Sequence, residues 1–175
     1  LLGVAANYLL LFTFNAATAS VRFTARSLAA GDRRGFREAL GYALSAQGSG
    51  ALLGAALLAA AAPALVDGLF QVPAGLRESG IFFLRAAAAG GFFLAMAQYA
   101  GSVFQGLQRF DAYNAMSCVQ SALMPAGAAL LLWVGLRVEA VASWFILLNA
   151  LVALAALGGA WALLRRAEPA GEGTG

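Results

Sequence analysis

Residues 39–66 read ALGYALSAQGSGALLGAALLAAAAPALV, 28 positions in a row without Asp, Glu, Lys or Arg. A helix rises about 1.5 Å per residue, so this run exceeds the roughly 30 Å of a bilayer's hydrocarbon. Ala and Leu dominate it. Both are strong helix formers, and the strict alternation of a barrel strand is missing. In hydrocarbon a helix also gives every backbone N–H and C=O an internal partner. The run predicts a membrane-spanning helix.

Outward from it the pattern recurs. Charge-free runs cover residues 1–21, 86–108, 112–136 and 140–164. The first lacks a basic leader and is too long for the apolar region of a secretory signal. The expected spans are about 2–24, 39–66, 79–105, 113–135 and 140–164. The fold class is an all-α integral membrane protein with five transmembrane helices in a bundle over residues 1–166. Residues 167–175, rich in Gly and acid, form a tail or the start of a linker. Polar connections fit between the spans: Ala30 to Gly35; Pro63, Asp67-Gly68 and Val72 to Gly75; Arg109 to Asp111; Leu136 to Glu139.

Composition agrees. The chain has 175 residues, 62% of them hydrophobic and 11% charged, against about 45–50% and 25% in soluble domains. It has no His and one Cys, which excludes a His-dependent triad, a disulfide framework and a thiolate metal cluster within the chain. The acids are Asp32, Glu38, Asp67, Glu78, Asp111, Glu139, Glu168 and Glu172. All fall in connections, at span ends or in the tail, so no metal site, cofactor or enzymatic centre is expected.

All 11 basic residues are Arg. Five alternating spans place Arg22, Arg26, Arg33, Arg34, Arg37, Arg109, Arg165 and Arg166 on one side and Arg77, Arg85 and Arg137 on the other. The positive-inside rule makes residues 25–38, 106–112 and 165–175 cytoplasmic. The basic balance then reports topology, and a nucleic-acid partner is not expected.

At 100° per residue, Asn7, Asn15, Thr18, Arg22 and Arg26 share one arc of the first span. Lipid penalises such a stripe. It faces either other helices or a hydrated cavity, and the two Arg can also reach lipid phosphates. Gln98, Ser102, Gln105 and Arg109 share a face of the third span; Asn114, Ser117, Cys118, Ser121 and Pro125 share one of the fourth. Pro125 should kink its helix. Arg85, a few residues into the third span, has two readings: it snorkels to the outer interface, or it lines a cavity for an anion. Gly41, Ser45, Gly48 and Ser49, with Gly50 and Gly54, read as a helix-packing face. Cys118 reads as a small buried hydrophobe. Trp133, Trp144 and Trp161 read as interfacial anchors.

Two stretches carry a resemblance. Residues 20–32, SVRFTARSLAAGD, resemble the end of the second membrane helix and the following loop of Wzx-type polysaccharide flippases, and residues 104–114, FQGLQRFDAYN, resemble their short fourth-to-fifth helix loop. That family belongs to the multidrug/oligosaccharidyl-lipid/polysaccharide exporter superfamily. The resemblance implies helices two to six of the first lobe of a two-lobe fold, with the remainder of the same polypeptide as a partner. It implies a bacterial inner-membrane location and alternating access without bond chemistry. It also implies an undecaprenyl-diphosphate-linked oligosaccharide as substrate, moved between leaflets for cell-surface polysaccharide export. The substrate-binding candidates are then Arg22, Arg26 and Arg85, supported by Asn15, Thr18 and Gln98. Another multipass transporter and a structural membrane subunit without transport remain the alternatives.

Overall fold

The computed structural model describes residues 21, 22, 26 and 30–167; most of the expected first span lies outside the described residues. Four long helices follow one another: α1 (Arg33–Ala64), α2 (Arg77–Gly106), α3 (Phe110–Trp133) and α4 (Val138–Ala167). Each is long and apolar enough to cross a membrane, and no strand occurs among the described residues. These helices match the second to fifth expected spans: all four start two to six residues early, α2 and α4 run one to three residues past the expected end, and α1 and α3 stop two residues short of it.

The helix ends show why. Asp32 Oδ1 accepts the Gly35 N–H at 2.9 Å and caps α1, satisfying one of the orphan donors of a first turn. Gly31 brings the chain in at φ +68°. The polar break expected over residues 30–35 therefore shrinks to 30–32. Pro63 also departs from expectation: it lies inside α1, not in the connection. Having no N–H, it weakens the ladder, and just beyond it the chain widens into a π turn, Leu65–Leu69. Arg77 then reaches back in a fork to Asp67, at 2.7 and 2.8 Å, across a short 3-10 turn at Ala74–Leu76. The α2 and α3 termini share one device. Arg109 N–H bonds the Phe104 carbonyl at 2.8 Å, and Leu136 N–H bonds the Leu131 carbonyl at 3.0 Å. The residue before each donor takes a left-handed conformation, Gln108 at φ +57° and Gly135 at φ +80°, as a Schellman ending requires.

Helix α2 is the hub. It packs most extensively on α4 and next on α1, whereas α3 leans mainly on α4 and touches α2 lightly. One core cluster joins Leu40, Tyr99, Val103, Phe104 and Ala156; a second joins Ala51, Ala95, Met96, Leu148 and Val152. Small residues make these contacts close. A Cβ at Gly90 would collide with the ring of Phe145, and one at Gly127 with the ring of Trp144. Between helices in lipid, such close packing supplies attraction that burial from water does not. The outward faces are apolar, with Leu52, Leu57, Leu147, Leu151 and Leu154 all exposed.

Three further expectations are corrected. The packing face of α1 is Leu40, Ala43, Gln47, Ala51, Gly54 and Ala55; Gly54 is buried on it as expected, whereas Gly41, Ser45 and Ser49 lie about a third of a turn away. Those three are exposed, and the two Ser hydroxyls bond carbonyls of their own helix at 2.8 and 2.6 Å. Gln47 draws its face inward because a buried amide needs a partner: its Nε2 donates to the Ala95 carbonyl at 3.3 Å. Cys118 is exposed, not buried, because α3 presents that side away from the bundle. Trp144 is no interfacial anchor. Its ring lies on Gly127 and its Nε1 donates to the Leu123 carbonyl at 3.3 Å, which ties α4 to α3. Trp133, 84% exposed, and Trp161, with Arg165 stacked 3.5 Å above its ring, stay at helix ends as expected.

Candidate functional site

Because α3 hangs on α4 and barely meets α2, a cavity of about 600 Å³ is left between them. That falls in the size range of small-molecule sites, about 300–1,000 Å³. Its α2 wall is Leu94, Gln98, Ser102 and Gln105, spaced three and four apart so that they share one face, with Ala97 beside them. Its α3 wall is Tyr113, Met116, Ser117, Gln120, Ser121 and Met124. Phe145 and Asn149 of α4 form the back, and Val21 and Arg22 close a further side. Near the α2–α3 turn, Gly101 lets the Tyr113 ring and the Met116 methyl approach α2 at 3.1–3.3 Å from where a Cβ would stand.

The polar groups are held in definite ways. Asn149 is 1% exposed. Its Nδ2 donates to the Phe145 carbonyl at 2.7 Å, and its Oδ1 accepts from Gln120 Nε2 at 2.8 Å. A side-chain amide buried this way satisfies itself within α4 and binds α3 at once. Ser102 donates to the Tyr99 carbonyl at 2.7 Å. Among the described lining residues Arg22 is the one that is charged, and no Asp or Glu accompanies it. Among the described residues no carboxylate pairs with it. Arg22 is itself exposed at the cavity edge, where its planar guanidinium presents a fork to anions.

The expected site residues divide as follows. Arg22 and Gln98 line the cavity, together with Ser102 and Gln105 of the α2 stripe and Ser117 and Ser121 of the α3 stripe. Asn15 and Thr18 lie outside the described residues. Arg26 is exposed and is not among the lining residues. Arg85 is exposed too, and stands apart from the cavity. Thirteen residues before Gln98, it is rotated about 220° around α2 and about 20 Å along it. Arg109 turns to Asp111, with both contacts at 3.2 Å. Asn114, Cys118 and Pro125 are not in the lining; the α3 face is turned by about one residue, to Tyr113, Met116, Gln120 and Met124. Gln120, Tyr113 and Asn149 are the polar residues that the sequence reading missed. Asn149 carried a usable signal: it is the sole amide of the run 140–164, and a lone amide in hydrocarbon needs a partner.

The chain matches no family model, no curated protein and no solved structure. Function is therefore argued from the cavity. Among the described residues no three Asp, Glu, Cys or His side chains converge as metal ligands. What the lining offers is hydroxyls, amides, one cation and an apolar remainder, a set suited to binding.

Proposed function

We propose that the chain is part of a membrane flippase that moves a lipid-linked oligosaccharide, carried on an undecaprenyl-type diphosphate, between leaflets by alternating access. The observation that carries this reading is Arg22 at the edge of a cavity whose described lining holds no acid and is otherwise amides, hydroxyls and apolar side chains. A planar guanidinium can bind two phosphate oxygens at once. Amides and hydroxyls suit sugar hydroxyls, and the apolar exterior suits a polyprenyl tail left in lipid. The resemblance of residues 20–32 and 104–114 to Wzx-type flippases points the same way. Eight Arg on the side of the α2–α3 turn, against three opposite, would make that side cytoplasmic. The cavity runs from near that turn towards mid-bundle, so a substrate would enter from the inner leaflet of a bacterial plasma membrane. Arg26 would steer substrate from the surface, with Asn15 and Thr18 as further lining candidates.

The test is leaflet exchange in liposomes. The native polypeptide carrying this chain is reconstituted with a fluorescent polyprenyl-diphosphate disaccharide, and an impermeant reductant quenches the outer leaflet. Exchange should bleach the inner-leaflet label. Arg22→Ala should slow it about 10- to 100-fold, the loss of a charge-assisted contact, and Arg22→Lys should fall between. Full protection of the inner label, as a structural subunit would give, overturns the reading. So does an Arg22→Ala variant as fast as wild type.

A further inference from the structure

Resting on that reading of the cavity, we infer that Gln120 is the residue that recognises the sugar, by a two-point hydrogen bond to neighbouring hydroxyls of an uncharged glycan. Asn149 is the positioning residue that holds it.

A Gln side chain has two N–H donors and a carbonyl with two acceptor sites. Gln120 uses one donor, in its 2.8 Å bond to Asn149 Oδ1. That bond also fixes which end of the amide is nitrogen: Asn149 Nδ2 is committed to the Phe145 carbonyl at 2.7 Å, so its Oδ1 must be the acceptor facing α3. Gln120 lines the cavity and has its carbonyl oxygen and a second N–H left over from that bond. A donor and an acceptor about 2 Å apart in one plane complement two adjacent hydroxyls, one donating and one accepting. They do not complement a phosphate, which has only acceptors at neutral pH, and they give a carboxylate no countercharge. With no acid and one cation, Arg22, among the described lining residues, the anionic and neutral parts of the ligand sort themselves. The phosphates go to Arg22 and the uncharged sugar to Gln120. Orientation by a 1% exposed partner means that little side-chain freedom is lost on binding.

The experiment uses the purified protein in nanodiscs and two probes, farnesyl diphosphate and the same molecule carrying one N-acetylglucosamine. Wild type should bind the glycosylated probe about tenfold more tightly, the worth of two neutral hydrogen bonds. Gln120→Met, close in shape but without the amide, should erase that difference. Asn149→Leu should reduce the difference without erasing it, since Gln120 remains but swings. Arg22→Ala should weaken both probes alike. If Gln120→Met keeps the tenfold preference, the inference is wrong while the proposed function stands. If neither probe responds to Arg22→Ala, it is the proposed function that fails. Should Gln120→Met lose farnesyl diphosphate binding as well, Asn149→Leu decides: an undiminished preference for the sugar overturns the inference.

Discussion

Replacing Gly90 with Ala adds one methyl group to α2, and the structure says where it goes. The new Cβ would lie well inside van der Waals contact of the Phe145 ring edge. Close-packed interiors do not absorb such an overlap locally. The α2 neighbours Ala86, Ala87 and Ala88 are all buried, as are Ala142 and Leu148 beside Phe145 on α4, so the backbones have little slack. The cavity that the ring already lines is an open direction for it. Overpacking of this kind costs about 1–3 kcal/mol. For a chain of this size each kcal/mol moves the midpoint by about 2–4 °C. Gly90→Ala should thus lower the thermal midpoint in detergent by about 2–12 °C, and it should weaken binding of a diphosphate probe because the displaced ring intrudes on the site. Phe145→Leu removes the clashing ring edge, so the double variant should be more stable than the sum of the two single effects, by at least about 0.5 kcal/mol. A Gly90→Ala protein that melts with the wild type, or two effects that simply add, would refute the claim that this glycine exists for that ring.

Other tests follow from single contacts. Gln108→Gly should stabilise the chain by up to about 1 kcal/mol, read as a higher midpoint, because a left-handed φ of +57° strains any side chain with a Cβ. Trp144→Phe should cost about 1 kcal/mol by removing the donor to the Leu123 carbonyl while keeping the ring on Gly127. Gln47→Leu should be neutral or stabilising in the same melt, since Gln47 Oε1 is buried without a partner and its one bond is long at 3.3 Å. Cys118, exposed on α3, should react in a bilayer with a membrane-permeant maleimide much faster than with a charged, impermeant one.

The spans were legible because a 28-residue run without charge has few places to go. The stripe Gln98, Ser102, Gln105 was legible for a similar reason. On a regular helix, rotation alone aligns these residues, and no neighbour is needed to know it. The same arithmetic, carried from Gln98 back to Arg85, already puts that Arg on another side of α2. The α3 register was not legible. That helix has polar residues on several sides, and only its ties to α4, through Gln120 and Trp144, turn Ser117 and Ser121 inward with Gln120 and leave Cys118 outside. The packing face of α1 was hidden too. Glycines and serines look alike as contact residues, and one buried amide, Gln47, settled the rotation. Pro63 misled because proline marks a stop in water-exposed helices more reliably than within an apolar helix whose next turn can widen.

The bundle carries much of its bulk on the outside: many leucines face out, while alanines and glycines are frequent at the crossings. Mutational tolerance should therefore run opposite to that of a water-soluble domain. Trimming an outer Leu should go almost unnoticed, whereas a single extra carbon at a crossing should be severe. A saturation library scored for surface abundance would then show its deepest losses at the smallest residues.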